Sequence, residues 1–232
     1  MNDALEKVTG ITSLPIFPLP LVMLPGEILP LHIFEPRYRQ MLTDVTDGNK
    51  FFGVSYFEPQ DTTLDRPATD TVGCVAEVRE VEALVDGRSN ILTLGVVRYR
   101  LNEYVDTNSP YIVGDVSFFQ DDPEDAADVE RLADEVFGIF ERLARAAFKI
   151  GGSRGSFPEI ERTDPESLSF LVTAAFNFEN DKKYRLLEMT STVRRLTDLK
   201  NVLDRAVTQM EESAEIHTVS RHNGHSSKKI DI

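Results

Sequence analysis

The chain has 232 residues, 41% of them hydrophobic and 28% charged, which is enough apolar material for one large domain or two small ones and far from a disordered composition. Its formal net charge is −14; a cut after Phe119 leaves 9 basic against 17 acidic residues before it and 16 against 22 after it. With acid in excess on both sides, phosphate backbones and anionic membrane surfaces are repelled, so nucleic acid is excluded as an expected partner.

Cys74 is the only cysteine, which rules out an intramolecular disulfide and a cysteine-based zinc site and points to a reducing compartment. Its surroundings, TVGCVAEV, are strand-like and favour a small core residue over a nucleophile. The opening MNDALEKVTG lacks the basic-then-apolar order of a secretory signal, and no apolar run approaches about 18 residues. A cytoplasmic location, or an equivalent reducing compartment, without membrane insertion is the expectation.

From Leu14 to Phe119 the patterning is short and strand-like. Residues 14–31 carry Pro15, Pro18, Pro20, Pro25 and Pro30, and proline cannot donate to a ladder, so these strands must be short, bulged or at an edge. Pro15 and Pro18 form a P-x-x-P, but Ile16, Phe17, Leu19, Leu21 and Val22 interleave with the prolines. Such bulk wants burial, which argues against an exposed polyproline ligand. Pro36 suits a first helical position, and Tyr38, Met41, Leu42 and Val45 then share one helical face until Asp47-Gly48.

FFGVSYF (51–57) reads as a strand followed by a polar loop. Two long strands then face each other across VDGRSN. In the first, Val72, Cys74, Ala76 and Val78 alternate and the phase slips to Val81. In the second, Leu92, Leu94 and Val96 alternate, then Val97, Tyr99 and Leu101 take the opposite parity beside Gly95. A parity switch is what a bulge produces, and two bent strands suggest a sheet curling into a barrel. Ile112, Val116 and Phe118 share one face of the last strand.

After Pro123 the pattern is helical. Leu132, Val136, Phe140, Leu143 and Ala147 make one stripe. Thr163 or Asp164 caps the next helix, with Pro165 at its start and Leu168, Leu171, Val172 and Ala175 inward. A short helix around Lys182–Met189 precedes a last one, opened by Thr190 or Ser191 and striped by Val193, Leu196, Leu199, Leu203, Ala206 and Met210. The polar stretch after about Ser213 is expected to be disordered.

Chemistry-bearing motifs are sparse. His217, His222 and His225 match no zinc spacing. Ser226 and Lys229 satisfy S-x-x-K only by coincidence, without a rigid helix or an oxyanion hole. GGSRGS (151–156) lacks the G-K-[ST] ending of a phosphate loop. Acid pairs such as Asp121-Asp122 and Glu211-Glu212 read as helix-flanking, solvated groups. No cofactor or metal is expected. The densest titratable cluster is LPLHIFEPRYR (29–39), where His32 is a candidate general base. The reading preferred for His32, Glu35, Arg37 and Arg39 is a strand-to-helix joint: Glu35 at the helix start, the arginines forking onto nearby acids, and His32 held by local hydrogen bonds.

Residues 14–39, FFGVSYF, DTVGCVAEVREVE, GVVRYRL and LSFLVTAAFNFENDKKYRLLEMTSTVRRLTDLKNVL together resemble the Lon protease N-terminal substrate-binding domain family, over about residues 12–210. The resemblance implies an α+β fold: a proline-rich antiparallel pseudo-barrel of PUA-like type (12–120), then a C-terminal helical bundle (121–212), with 213–232 as a tail. It also implies a non-catalytic module that binds unfolded or damaged polypeptide for a proteolytic machine. The ATPase and protease modules of full-length Lon have no counterpart in this sequence, so no peptidase or ATPase activity is expected of it. Phe57, Pro59, Phe118 and Phe119 are the candidate polypeptide contacts, since consecutive phenylalanines in a strand face opposite ways. The competing readings are a scaffold that docks to one folded partner, such as a protease, and a hydrolytic or small-molecule domain centred on His32.

Overall fold

The computed structural model describes residues 3–58, 66–150 and 159–223. A short helix α1 (Asp3–Lys7) precedes β1 (Ser13–Leu19) and β2 (Ile28–Ile33); α2 (Pro36–Asp47) then leads to β3 (Phe51–Tyr56), β4 (Val72–Ala83), β5 (Ser89–Val105) and β6 (Ile112–Phe119). The helices α3 (Ala126–Ile150), α4 (Pro165–Ala175), α5 (Asn180–Glu188) and α6 (Thr192–Asn223) follow.

The sheet order is β2-β5-β4-β3-β1-β6, and β6 returns to pair with β5. The long strand β5 makes this possible. Its residues 89–94 pair with β2 and its residues 98–105 pair with β6, while β4 lies along its other side. One half of the sheet therefore closes into a barrel. The other half stays open between β2 and the C-terminal part of β1. All pairings are antiparallel except β1 with β3, which is parallel because β2 and α2 intervene between them.

The ladder explains how the strands carry prolines. The Val116 amide donates to the Thr12 carbonyl, so by two-residue alternation Leu14 and Ile16 point their backbone groups at β6 and Pro15 points away from it. Pairing to β3 begins only at Ile16, so the missing donor of Pro15 faces an unpaired side. The Phe57 amide donates to the Leu19 carbonyl, which turns Phe17 and Leu19 toward β3 and Pro18 toward the side that β6 has left. On β2, the Gly95 amide donates to the Glu27 carbonyl. Leu29, Leu31 and Ile33 therefore face β5, and Ile28, Pro30 and His32 face the open edge. Each of these prolines sits where no ladder bond is lost.

The bulge expected beside Gly95 is present: the β4–β5 register shifts between Cys74 and Ala76, and again between Val78 and Glu80. A Cβ on Gly95 would overlap the Leu24 carbonyl, so only glycine lets the 24–27 turn close over the bend. Around it, Cys74, Val75 and Ala76 are fully buried; burial pushes the Cys74 thiol well above its ordinary range, as suits a core residue.

Several expected faces differ. Ile91 and Thr93, rather than Leu92 and Leu94, form the most buried row of β5. The polar Thr93 hides this in the sequence; its hydroxyl donates to the Leu29 carbonyl at 2.8 Å. Val81 is 44% exposed because β4 runs beyond the body after Val78. In the helical half, Leu132, Val136, Phe140 and Leu143 pack with Leu168, Val172, Leu196, Leu199 and Leu203, but Ala147, Leu171 and Ala175 are exposed. On α4 the buried face includes Phe170 and Thr173 instead. Asp164 caps α4, accepting from the Ser167 amide at 3.1 Å. Helix α6 continues past Ser213 to Asn223, where Glu211, Glu212, Ala214 and Glu215 are all good helix formers.

Tyr99 organises the barrel interior. It is fully buried, its ring fills the space where Gly53 and Gly73 lack side chains, and its hydroxyl lies 2.6 Å from Ser55 Oγ. Tyr99→Phe leaves the buried Ser55 hydroxyl without that partner, and is expected to lower the unfolding free energy by about 1–2 kcal/mol in urea titrations.

Candidate functional site

The strand-to-helix joint forms as a local structure with different contacts from those expected. Glu35 occupies the N-cap position of α2, with Pro36 at the first turn, but its carboxylate makes no capping bond. It accepts instead from Arg37 Nε at 3.0 Å, an exposed pair that contributes little to stability. The Arg37 guanidinium also lies 4.5 Å from the Tyr38 ring centroid. Arg39 reaches the β4–β5 turn, where a side chain on Gly87 would overlap its guanidinium; it ties α2 to the hairpin by packing. His32 Nδ1 lies 2.8 Å from Asn90 Oδ1, and Asn90 donates to Glu82 at 3.0 Å. The ring of His32 stacks on Phe34, with centroids 6.0 Å apart.

Immediately beside the joint is a cleft of about 410 Å³ in the open part of the sheet. Phe17, Pro18, Leu19 and Pro20 form one wall, Leu31 to Phe34 form the other, and Tyr38 and Phe57 also line it. Phe17 and Tyr38 pack at 4.2 Å between ring centroids. Phe34 is 58% exposed, and Ile28, further along β2, is 63% exposed. The cleft is thus apolar, with backbone edges on two sides. Sequence reading singled out its polar rim and missed Phe17, Phe34 and Tyr38 as a group, because the wall from β1 and the wall from β2 meet only through tertiary pairing.

Of the four candidate contacts, the three described ones, Phe57, Phe118 and Phe119, lie in different places. Phe57 is half-buried in the cleft. Phe118 packs into the barrel core with Tyr99 and Leu101, and Phe119 packs at the junction with the helices. The two face opposite ways, and each is half-buried. Pro59 lies outside the described residues, as do GGSRGS (151–156), His225, Ser226 and Lys229. Among the described residues no group of His, Cys, Asp and Glu is placed to hold a metal ion, and no helix is long and apolar enough to cross a membrane.

A second polar constellation joins barrel to helices. Arg98 on β5 and Arg195 on α6 are fully buried. Arg98 donates to Asp121 at 2.5 Å, to Glu166 at 3.3 Å and to the carbonyls of Leu187 and Met189 at 3.1 and 2.6 Å. Arg195 donates to both Asp121 oxygens, to Ser169 Oγ at 2.7 Å and to the Met189 carbonyl at 2.9 Å. Arg98 lies over the Phe119 and Phe170 rings, at 4.6 and 5.2 Å from their centroids, and Phe170 also meets Arg195 at 4.1 Å. Asp121, expected as a solvated helix-flanking acid, is instead a buried counter-ion shared by two guanidinium groups. With both arginines and Asp121 buried and hydrogen-bonded to one another, this network reads as architecture.

A family model described as the ATP-dependent protease La (LON) substrate-binding domain matches residues 13–205. The chain belongs to this family. It is 27% identical over 224 residues to the Lon protease of Cytophaga hutchinsonii, covering 92% of this chain and 27% of that protein. It is 26% identical over 208 residues to the Lon protease of Syntrophomonas wolfei, covering 88% of this chain and 25% of that protein. The Lon substrate-binding domain described here thus spans about a quarter of the length of those curated relatives. Its fold is similar to the N-terminal domain of the Mycobacterium avium complex Lon protease, with a TM-score of 0.60 at 16% identity, covering 83% of this chain and 98% of that one. A Lon N-terminal domain protein from Xanthomonas campestris gives a TM-score of 0.55 at 22% identity, covering 82% and 97%. The mixed α+β architecture, with its sheet followed by helices, is the architecture of these Lon domains.

Proposed function

We propose that this Lon substrate-binding domain is a non-catalytic polypeptide-binding module that takes up exposed, unfolded segments and acts as a recognition element or adaptor for proteolysis in the cytoplasm. The family match over residues 13–205 carries this reading. The cleft lined by Phe17, Phe34 and Phe57 supports it by offering apolar surface beside exposed β2 residues, as an unfolded client requires. His32 is hydrogen-bonded to Asn90 and stacked on Phe34, contacts that lend the hydrolytic reading no support. Affinity is expected to be modest, because an unfolded client gives up chain entropy on binding. The net charge of −14 steers basic clients toward the domain in a salt-dependent way.

The test compares two forms of one basic protein by fluorescence anisotropy: labelled hen lysozyme, native or reduced and carboxamidomethylated. The alkylated, unfolded form binds saturably, and the native form at the same chain charge does not. Equal binding of both forms would reduce the interaction to charge. No binding of either, together with one stoichiometric partner in a crosslinked pull-down, would favour the scaffold reading.

A further inference from the structure

Two strand edges border the cleft, and among the described residues neither is paired with a further strand. Strand β2 is the terminal strand of the sheet order, and its residues Ile28, Pro30 and His32 turn their backbone groups away from β5. Across the cleft, β1 keeps β6 as a partner only as far as Ile16, which pairs with Ile112. Pro18 therefore turns its carbonyl to the same open side. His32, Pro18 and Ile112 all line the cleft. An edge strand left bare invites another strand. These edges are selective, because Pro18 and Pro30 offer carbonyl acceptors and no amide donors, and His32 supplies an outward amide at the cleft.

We infer that the domain, if it binds unfolded polypeptide as proposed above, takes its client as an extended strand laid against the β2 edge, with one apolar side chain at a time lowered toward Phe17 and Phe57. Client amides donate to the carbonyls of Pro30 and His32, and the His32 amide donates back to a client carbonyl. Backbone pairing needs no particular side-chain sequence, which suits a recognition element for many clients. The apolar floor adds a preference for alternating apolar residues. A second copy of this chain is the poorer occupant, since two β2 edges facing one another would each bring the missing donor of Pro30 to the ladder.

The probe is a capped, fluorescein-labelled peptide of eight alternating valine and threonine residues flanked by lysines, measured beside the unfolded lysozyme. His32→Pro removes the edge amide at an exposed position whose amide serves no internal ladder bond, and weakens peptide binding roughly five- to tenfold. With the unaltered protein, N-methylating alternate peptide amides abolishes binding in at least one of the two phases. Circular dichroism of His32→Pro confirms that the fold is kept, and the methylated peptides need no variant at all. If unfolded lysozyme binds but both methylated peptides bind as well as the parent peptide, or the peptide does not bind, the strand-pairing mode is overturned and client binding stands. If neither unfolded lysozyme nor the peptide binds, the functional reading beneath it falls as well.

Discussion

Asp121→Asn is expected to lower the unfolding free energy by about 3–5 kcal/mol, the range for removing one partner of a buried ion pair. The reason is geometric. Arg98 and Arg195 are 1% and 0% exposed, and each donates to the Asp121 carboxylate. An amide keeps the shape but leaves buried Arg195 without its carboxylate and buried Arg98 with only the part-buried Glu166, at 3.3 Å. Glu166→Gln is the control at the same arginine. Burial raises the Glu166 carboxyl above its ordinary range, outweighing Arg98 and Arg195, so its ionised form costs stability at neutral pH. Its replacement is expected to fall within about 1 kcal/mol of the parent. Urea titrations at neutral pH separate the two variants.

The pH dependence follows from the same carboxylate. Burial alone would raise Asp121, but Arg195, Thr192 and Arg98 outweigh it and hold the carboxyl below its usual range. A depressed folded value means the stabilisation is complete above the unfolded value of about 3.9 and is lost as pH falls through the lower folded value. The parent is therefore expected to lose stability below about pH 4, and the Asp121→Asn variant to show less of that loss. An equal acid slope in both proteins, read from unfolding free energy against pH, would show that Asp121 is not the coupled group.

Gly95→Ala is the second large effect, expected to cost about 2–3 kcal/mol. The added methyl meets the backbone carbonyl of Leu24, not a flexible side-chain end, and also crowds Cys74 Sγ at 3.2 Å. Relief requires moving the turn in which the Gly26 amide donates to the Gly95 carbonyl and the Leu24 amide donates to Glu27 at 2.9 Å. That turn feeds β2, so the damage reaches the open edge of the sheet. Gly138→Ala is the contrast, because nothing lies within 4 Å of a Cβ there and the site is exposed on α3. It is expected to stabilise by up to about 1 kcal/mol through helix propensity. Thermal melts of the two variants should move in opposite directions.

What the sequence makes legible here is what short-range physics enforces. Pro36 and the Tyr38–Met41–Leu42–Val45 face announce α2, Asp164-Pro165 announces α4, and the parity break at Gly95 announces a bent strand. Each signal lies within a few residues of its consequence. The cleft lies beyond such reading because Phe17, Phe34 and Phe57 meet only after β1 and β2 have found partners elsewhere in the sheet. The junction is hidden for another reason. Arg98, Asp121 and Arg195 are charged, and period-based reading assigns charges to the surface; only their mutual neutralisation by tertiary contact lets them be buried. Val81 and Leu171 show the converse, apolar residues left exposed, the first where strand β4 extends past the body and the second on the outer face of α4. His32 is where the two kinds of reading meet: its side chain is satisfied locally, and its backbone, which no composition argument weighs, faces the cleft.

The most direct measurement is amide hydrogen exchange along β2 with and without saturating unfolded lysozyme. Leu29, Leu31 and Ile33 already bond to β5 and should change little, while the outward amides of Ile28 and His32 should slow markedly on binding, His32 the more so. Saturable binding that leaves the exchange of both outward amides unchanged would place the client elsewhere and contradict the account.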